Sequence, residues 1–386
     1  RPRHHEAPEV RRAIADVGVD SAATSLSGFG TRLWLNKQNG RVIANSAIGF
    51  TSPRFDVNDM GYQGPAGVIN AHTGWGYRWT ENGRYKKYAE VNSALFGSMN
   101  FDHDVTVLGA WLSTYQQFMN NWGWNHSVIY GAPTISDRQT RGGPRMKRPG
   151  VVHWNSYGET DGSKKLYYSL SANYNADAAG GWDWGLAPTV EWKPVSAMLM
   201  RVGPSVSHGV TVAQYVGQYA DPLATSTYGG RYVFAQLEQS QVSANLTLNW
   251  SFSPTLSLQM FAQPLVASGR HSKFKELSRP NSYDFLVYGE GGSTLLADGV
   301  IADPDGAGPA APIAIGNQDF HLLSLRGNAV VRWEYRPGSA LFLVWTQTRS
   351  QDEPLGDFEL GRSFGQLSAV KPSNIFLVKV SYYLGL

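Results

Sequence analysis

Two acidic runs are the first places in this chain where residue type and spacing suit chemistry. In FDVND, Asp56, Asn58 and Asp59 present carboxylate and amide oxygens of the kind Ca²⁺ gathers in sets of roughly six to eight. The same residues suit an Asx turn, in which a side-chain oxygen caps backbone N–H groups, and that is the preferred reading. Asp303 and Asp305 in ADPDGAG raise the same question, but the run lacks the further carboxylates of a calcium loop. No metal and no other cofactor is expected.

Arg138, Arg141, Arg145, Lys147 and Arg148 form a dense basic cluster in SDRQTRGGPRMKRPG. Guanidinium forks match phosphate and carboxylate, so the cluster is a candidate contact for lipopolysaccharide, an anionic glycan or an acidic partner. The alternative is a solvated loop that turns at Gly142, Gly143 and Pro144. The histidines are scattered, and His72 falls on the same side of its strand as Asn70 and Arg78, which makes it a polar wall residue rather than a ligand. A serine–histidine–acid site would have to be assembled from distant strands. No HExxH pair is present and no nucleophile elbow of the G-x-S-x-G kind is expected, so no catalytic residue is assigned and an enzyme is not expected.

The elements that must carry these residues are strands. From Ser373 to the C-terminus, Phe376, Val378, Val380, Tyr382, Leu384 and Leu386 alternate with Leu377, Lys379, Ser381, Tyr383 and Gly385, the period of a strand with two unlike faces. The pattern recurs over Lys165–Asn175, Gly181–Lys193, Val242–Phe252 and Leu323–Tyr335. Apolar outward to lipid and polar inward to a lumen is the simplest assignment. It sends Trp182, Trp184, Leu246, Leu248, Trp250, Leu325, Val331, Val378 and Val380 toward lipid. It sends Asp183, Glu191, Lys193, Arg326, Arg332, Glu334 and Lys379 inward, where charge is cheaper, and predicts a lumen of mixed charge.

Three turns, at Pro194, Pro254 and Pro337, share an aromatic residue, a proline and a fresh alternation, and predict short hairpins with Trp192, Phe252 and Tyr335 in an interfacial girdle. The other connections, residues 51–66, 132–149, 220–230, 269–319 and 349–372, are longer, and 291–316 is the most loop-like. About 15 strands result, beginning at Thr24–Asn36, with residues 1–23 a loop or linker-like segment and 24–386 the barrel part. An odd number leaves the first and last strands running the same way. The expectation is therefore the C-terminal part of a larger all-β antiparallel transmembrane β-barrel, completed by earlier strands of the same protein or by a second chain.

Composition agrees. Only 16% of residues are charged, against about a quarter in ordinary soluble domains, while 12% are aromatic and 42 are Gly. No stretch nears the roughly 18–20 apolar residues of a membrane helix. Cysteine is absent, which removes disulfide and thiolate chemistry, and a net charge of +3 with dispersed Lys and Arg argues against nucleic acid. The N-terminal run RPRHHEAPEVRRAIADVGVDS has no apolar signal region, so residue 1 is not expected to be the start of the translated chain.

The segments PRFDVNDMGY (53–62), TRGGP (140–144), YVFAQLEQSQVS (232–243), FAQPLVASGRHSKFKEL (261–277), VVRWEYRPGSALFLVWTQ (330–347) and the final strand resemble a family of large bacterial outer-membrane proteins of unassigned function. In that family a carbohydrate-binding family-nine-like domain precedes a long barrel, and the resemblance implies that such a domain and the first barrel strands lie before this chain. It transfers no activity. The terminal Leu386 departs from the commoner aromatic end of outer-membrane strands. The expected function is a bacterial outer-membrane, porin-like conduit or gated transport platform in contact with outer-membrane lipid and lipopolysaccharide. The alternatives are a plugged scaffold that docks periplasmic or surface partner proteins or glycan and, last, an outer-membrane hydrolase.

Overall fold

The computed structural model describes residues 24–384 apart from 26 and 297–299. The expected 1–23 segment and the last two residues of the final strand lie outside the described residues. Strands dominate. In chain order they begin with β1 (Gly30–Lys37), β2 (Val42–Thr51), β3 (Val68–Trp79), β4 (Lys86–Asn100), β5 (Val105–Phe118) and β6 (Gly123–Gly131). A small hairpin, β7 (Thr134–Ser136) and β8 (Met146–Arg148), is followed by β9 (Val151–Glu159), β10 (Leu166–Asp177) and β11 (Trp182–Trp192). Three much longer strands come next: β12 (Met198–Ala220), β13 (Gly230–Ser253) and β14 (Leu256–Leu277). Short pieces β15 (Phe285–Val287), β16 (Thr294–Leu296), β17 (Ile301–Asp303) and β18 (Ile313–Ala314) precede β19 (Phe320–Arg336) and β20 (Ser339–Glu353). A helix, Leu360–Ala369, leads into β21 (Ser373–Ser381).

One antiparallel sheet of 16 strands results: β1 to β6, β9 to β14 and β19 to β21 pair in chain order, and β15 adds to β14. Fourteen reversals separate β1 from β21, so the two edges run in the same direction. No pairing joins them among the described residues.

The registers show why the alternating sequence makes this sheet. Cross-strand partners share a face, so a rung of the ladder can be followed across many strands. Leu166, Trp192, Met200, Leu248, Met260, Ala329, Trp345 and Phe376 form one apolar rung over eight strands. On the opposite face, Gly76, Asn92, Ser113, Ser127, Asn155, Asn173, Gly185, Ser207 and Gln241 form a rung of small and polar residues. A slip of one residue would invert both faces, so the apolar pattern fixes the register. At Pro337–Gly338 the proline presets one dihedral of the two-residue turn, and Gly338 takes φ +75°, which a side chain disfavours.

The fold departs from expectation above the wall. At about 3.3 Å per residue, β12 to β14, with 23, 24 and 22 residues, stand well beyond their neighbours. There both faces are covered. One face buries Val233, Ala235, Phe274, Tyr288, Ile313 and Ile315. The other buries Met146, Tyr232, Phe234 and Leu277, with Phe234 meeting Tyr215 and Phe285 edge-on at 5.6 and 5.5 Å. Much of the expected 269–319 loop is therefore strand and packed chain. The reason is that apolar residues on the tall strands need partners, and β8 and β15 to β18 supply them.

The expected 349–372 connection contains the helix. Its sequence LGRSFGQLSA does not alternate, and Ser363 and Leu367, four apart on one helical face, are the residues that become buried. Leu367 packs with Val266 and Leu323, both on the apolar side of the sheet. The outermost strands are shorter than expected, Gly30–Lys37 instead of Thr24–Asn36 and Ser373–Ser381 instead of a strand to residue 386.

Candidate functional site

The two faces separate the wall residues cleanly. Asp183, Glu191, Lys193, Arg326, Arg332, Glu334 and Lys379 all project on the polar face by register and pleat. Trp182, Trp184, Leu246, Leu248, Trp250, Leu325, Val331, Val378 and Val380 project on the other. Among the described residues the apolar face has no protein cover over most of its extent: Trp250 is 38% exposed, Leu343 45% and Val378 66%. Trp192, Phe252 and Tyr335 lie on this same face beside the short turns, all exposed.

Charges on the polar face are mostly paired with one another. Glu191 accepts from Lys193 at 2.8 Å and from Arg201, Arg332 meets Glu334 at 2.7 Å, and Arg78 meets Glu90 at 3.4 Å. Asp183 accepts from the Asn175 amide at 2.7 Å, and Lys379 lies over the Phe342 ring at 5.8 Å. His72 stands among them, bonded to Asn45 and 3.4 Å from the Arg32 guanidinium. Such pairing leaves the face polar without giving it a strong net sign.

At the end of the sheet opposite the short turns, the hairpin β7–β8 folds over the polar face and roofs a cavity of about 620 Å³. Beside it runs a partly buried network, of which Asn100, Asp137 and Arg138 line the cavity. The Asn100 amide donates to Asp104 and to Asp137, each at 3.1 Å, and Arg145 donates to Asp104 at 2.6 Å. Arg138 lies 3.5 Å from Asp137 and also donates to the Ala66 carbonyl at 2.6 Å, tying the hairpin to the β2–β3 connection. The five-residue basic cluster is thus divided. Arg138 and Arg145 serve the network, Arg141 lies over the Tyr215 ring at 4.8 Å, Lys147 is exposed, and Arg148 lines the cavity. Asp137 directly precedes Arg138, but sequence proximity could not show the Arg145 pairing, because Asp104 comes from the β4–β5 turn.

Asp56 and Asn58 are occupied as turn caps. Asp56 accepts from the Asn58 backbone at 2.9 Å and its amide at 2.8 Å, and Asn58 accepts from the Gln63 backbone at 3.2 Å. Asp303 likewise accepts from Gly306 N–H at 2.9 Å, and Asp305 from Ala310 N–H at 3.0 Å.

A serine–histidine pair also emerges. Ser363 Oγ lies 2.9 Å from His321 Nε2, and His321 Nδ1 lies 3.8 Å from a Glu353 carboxylate oxygen. The expectation about G-x-S-x-G needs correction here: Gly361, Arg362, Ser363, Phe364 and Gly365 have that spacing. What is missing is the elbow, since Ser363 sits inside a helix rather than on a strand-to-helix turn. Ser363 and His321 are fully buried, and the Ser363 hydroxyl also reaches the Glu359 carbonyl at 2.7 Å. Lifting the helix to admit a substrate would carry Ser363 away from the His321 base. The pair joins the helix to β19 of the sheet.

The tall strands carry one more charged constellation. Arg231 donates to Asp221 and Glu276, each at 2.6 Å, and Tyr288 donates to Glu276 at 3.0 Å. The Leu223 backbone N–H, and then Arg231, hold the Asp221 carboxyl below its usual range, while burial and the Glu276 charge push the Tyr288 phenol up.

A family model described as "Domain of unknown function (DUF5916)" matches residues 12–386, and the chain belongs to that family. No curated protein matches the chain.

Proposed function

We propose that this member of the DUF5916 family forms part of the wall of a wide outer-membrane β-barrel that acts as a conduit or gated platform. The observation that carries the reading is the pair of unlike faces, an uncovered apolar one and a wet, charge-paired one, continued in register across the sheet. Soluble proteins rarely expose apolar patches beyond roughly a few hundred Å², whereas lipid makes such a face favourable and requires backbone groups to be paired within the sheet. The aromatic residues beside the short turns fit an interfacial girdle.

Closure supports a larger barrel. Both edge strands are exposed on both sides and, among the described residues, each pairs on one side only, with Leu33, Leu35, Phe376 and Val380 making them apolar edges of the kind proteins avoid. Because β1 and β21 run the same way, an all-antiparallel closure takes an odd number of further strands between them. A conduit of this kind should pass small solutes in a liposome-swelling assay of the whole protein, with little preference for ion sign because the wall charges pair. Impermeable liposomes that nonetheless hold the protein in the bilayer would favour the plugged scaffold. That second reading draws on the packed tower over β12 to β14, a rigid surface suited to partners.

A further inference from the structure

We infer that the cavity roofed by β7–β8 is a binding site for a small anionic, hydroxyl-rich ligand: a sugar bearing a carboxylate or a phosphate. The proposal rests on the polar face being wet, as in the reading above, and starts from which cations are already spent. Arg138 and Arg145 are balanced by Asp137 and Asp104, and Asn100, 5% exposed, locks the two carboxylates together. In each of the two ion pairs the charges cancel.

Two more guanidinium groups line the cavity. The exposed Arg148 guanidinium makes no ion pair or hydrogen bond among the described residues, and the exposed Arg32 guanidinium has only long contacts, 3.4 Å each, to the Asn70 amide oxygen and the His72 ring. Two exposed positive charges with no carboxylate partner among the described residues therefore flank a half-open cavity. Guanidinium forks bind carboxylate and phosphate bidentately. The rest of the lining suits hydroxyls and a sugar ring: Ser98, Thr106 and Ser136 supply small polar groups, and Phe55 supplies an apolar ring. About 620 Å³ lies within the range of roughly 300–1,000 Å³ typical of small-molecule sites. The ligand cannot be a dication, because the buried carboxylates are already neutralised.

The test is calorimetric titration of the whole solubilised protein with galacturonate and, as the uncharged counterpart, galactose. Galacturonate should bind at least about tenfold more tightly than galactose, and Arg148→Ala and Arg32→Ala should each weaken it by about tenfold or more, the worth of one charge-assisted contact. Arg148→Lys should restore part of the loss, and Lys147→Ala, outside the cavity, should change nothing. Competition with lipopolysaccharide distinguishes the sources of the anion: displacement of galacturonate assigns the site to a lipid headgroup sugar, and its failure assigns it to a free solute. Equal binding of galactose and galacturonate, or unchanged binding in both arginine-to-alanine variants, would overturn the proposal. Strand content by circular dichroism and insertion into vesicles are read on the same variants, so a failure of the wall is not mistaken for a failure of the site.

Discussion

The lower wall and the tower over β12 to β14 are built from the same alternating strands, yet they treat apolar residues oppositely. In the tower, Val233, Phe234 and Ala235, three successive residues, are all fully buried, because chain from β8 and β15 to β18 packs on both faces. In the wall, Leu246 and Trp250 lie on the very same strand as Phe234 yet stay 37% and 38% exposed, Trp250 meeting the Phe252 ring at 4.4 Å. One strand thus passes from a region where protein supplies the apolar surroundings to one where something else must. The change happens where the face reads His208, Glu238 and Ser240, a polar group held by a 2.8 Å bond between His208 and Ser240. Apolar side chains stabilise a fold only when they leave water, so on the proposed reading the contrast would mark where lipid takes over from water.

The largest expected effect separates the two regions. Phe234→Ala removes a fully buried ring and should cost about 3–5 kcal/mol, seen as loss of hydrogen-exchange protection across the tower while the wall strands stay protected. Equal loss in both regions would break the comparison. Leu248→Arg should cost about 2–4 kcal/mol in the bilayer by placing charge on the apolar face. It should be nearly silent for tower packing, which urea titration of vesicle-inserted protein can check.

The helix tests whether a small piece of the wall behaves like the tower. Ser363→Ala leaves the buried His321 without its 2.9 Å partner and should cost about 1–3 kcal/mol, appearing as faster exchange over 360–369 alone. An unchanged helix would mean that Leu367 alone holds it. At the small end, Gly338→Ala places a side chain at φ +75° and should cost about 1 kcal/mol, read as a lowered melting midpoint with unchanged strand content.

Acid should sharpen the contrast. A carboxyl held below its ordinary range contributes stability that is present above that range and is lost as pH falls through the depressed folded value. Asp221 is such a group, and it belongs to the tower. Exchange in the β12–β13 connection should therefore accelerate below the ordinary carboxylate range, and Asp221→Asn should remove that dependence.

Much of the wall was legible in the sequence because a period of two needs no partner to be recognised. Strands such as Trp182–Trp192, the split of Asp183 and Glu191 from Trp182 and Trp184, and the turns at Pro194, Pro254 and Pro337 follow from alternation and turn chemistry. The tower was not legible, since its strands continue past the apolar band and their partners sit in Gly- and Pro-rich chain far along the sequence. Nor was the division of the arginine cluster, because Asp104 lies 41 residues from Arg145 and meets it only through the fold. The G-x-S-x-G spacing was present but silent about the helix around it.

The most direct test of the account is tryptophan quenching by brominated acyl chains in vesicles carrying the whole protein. Apart from Trp34, Trp111 and Trp122, the tryptophans project on the apolar face, Trp182, Trp184, Trp250 and Trp333 among them. The account predicts strong quenching in brominated relative to ordinary lipid, lost for a variant in which Trp111 on the polar face is the sole tryptophan and retained where Trp250 is. Emission that ignores the bromine in the Trp250 variant would contradict it.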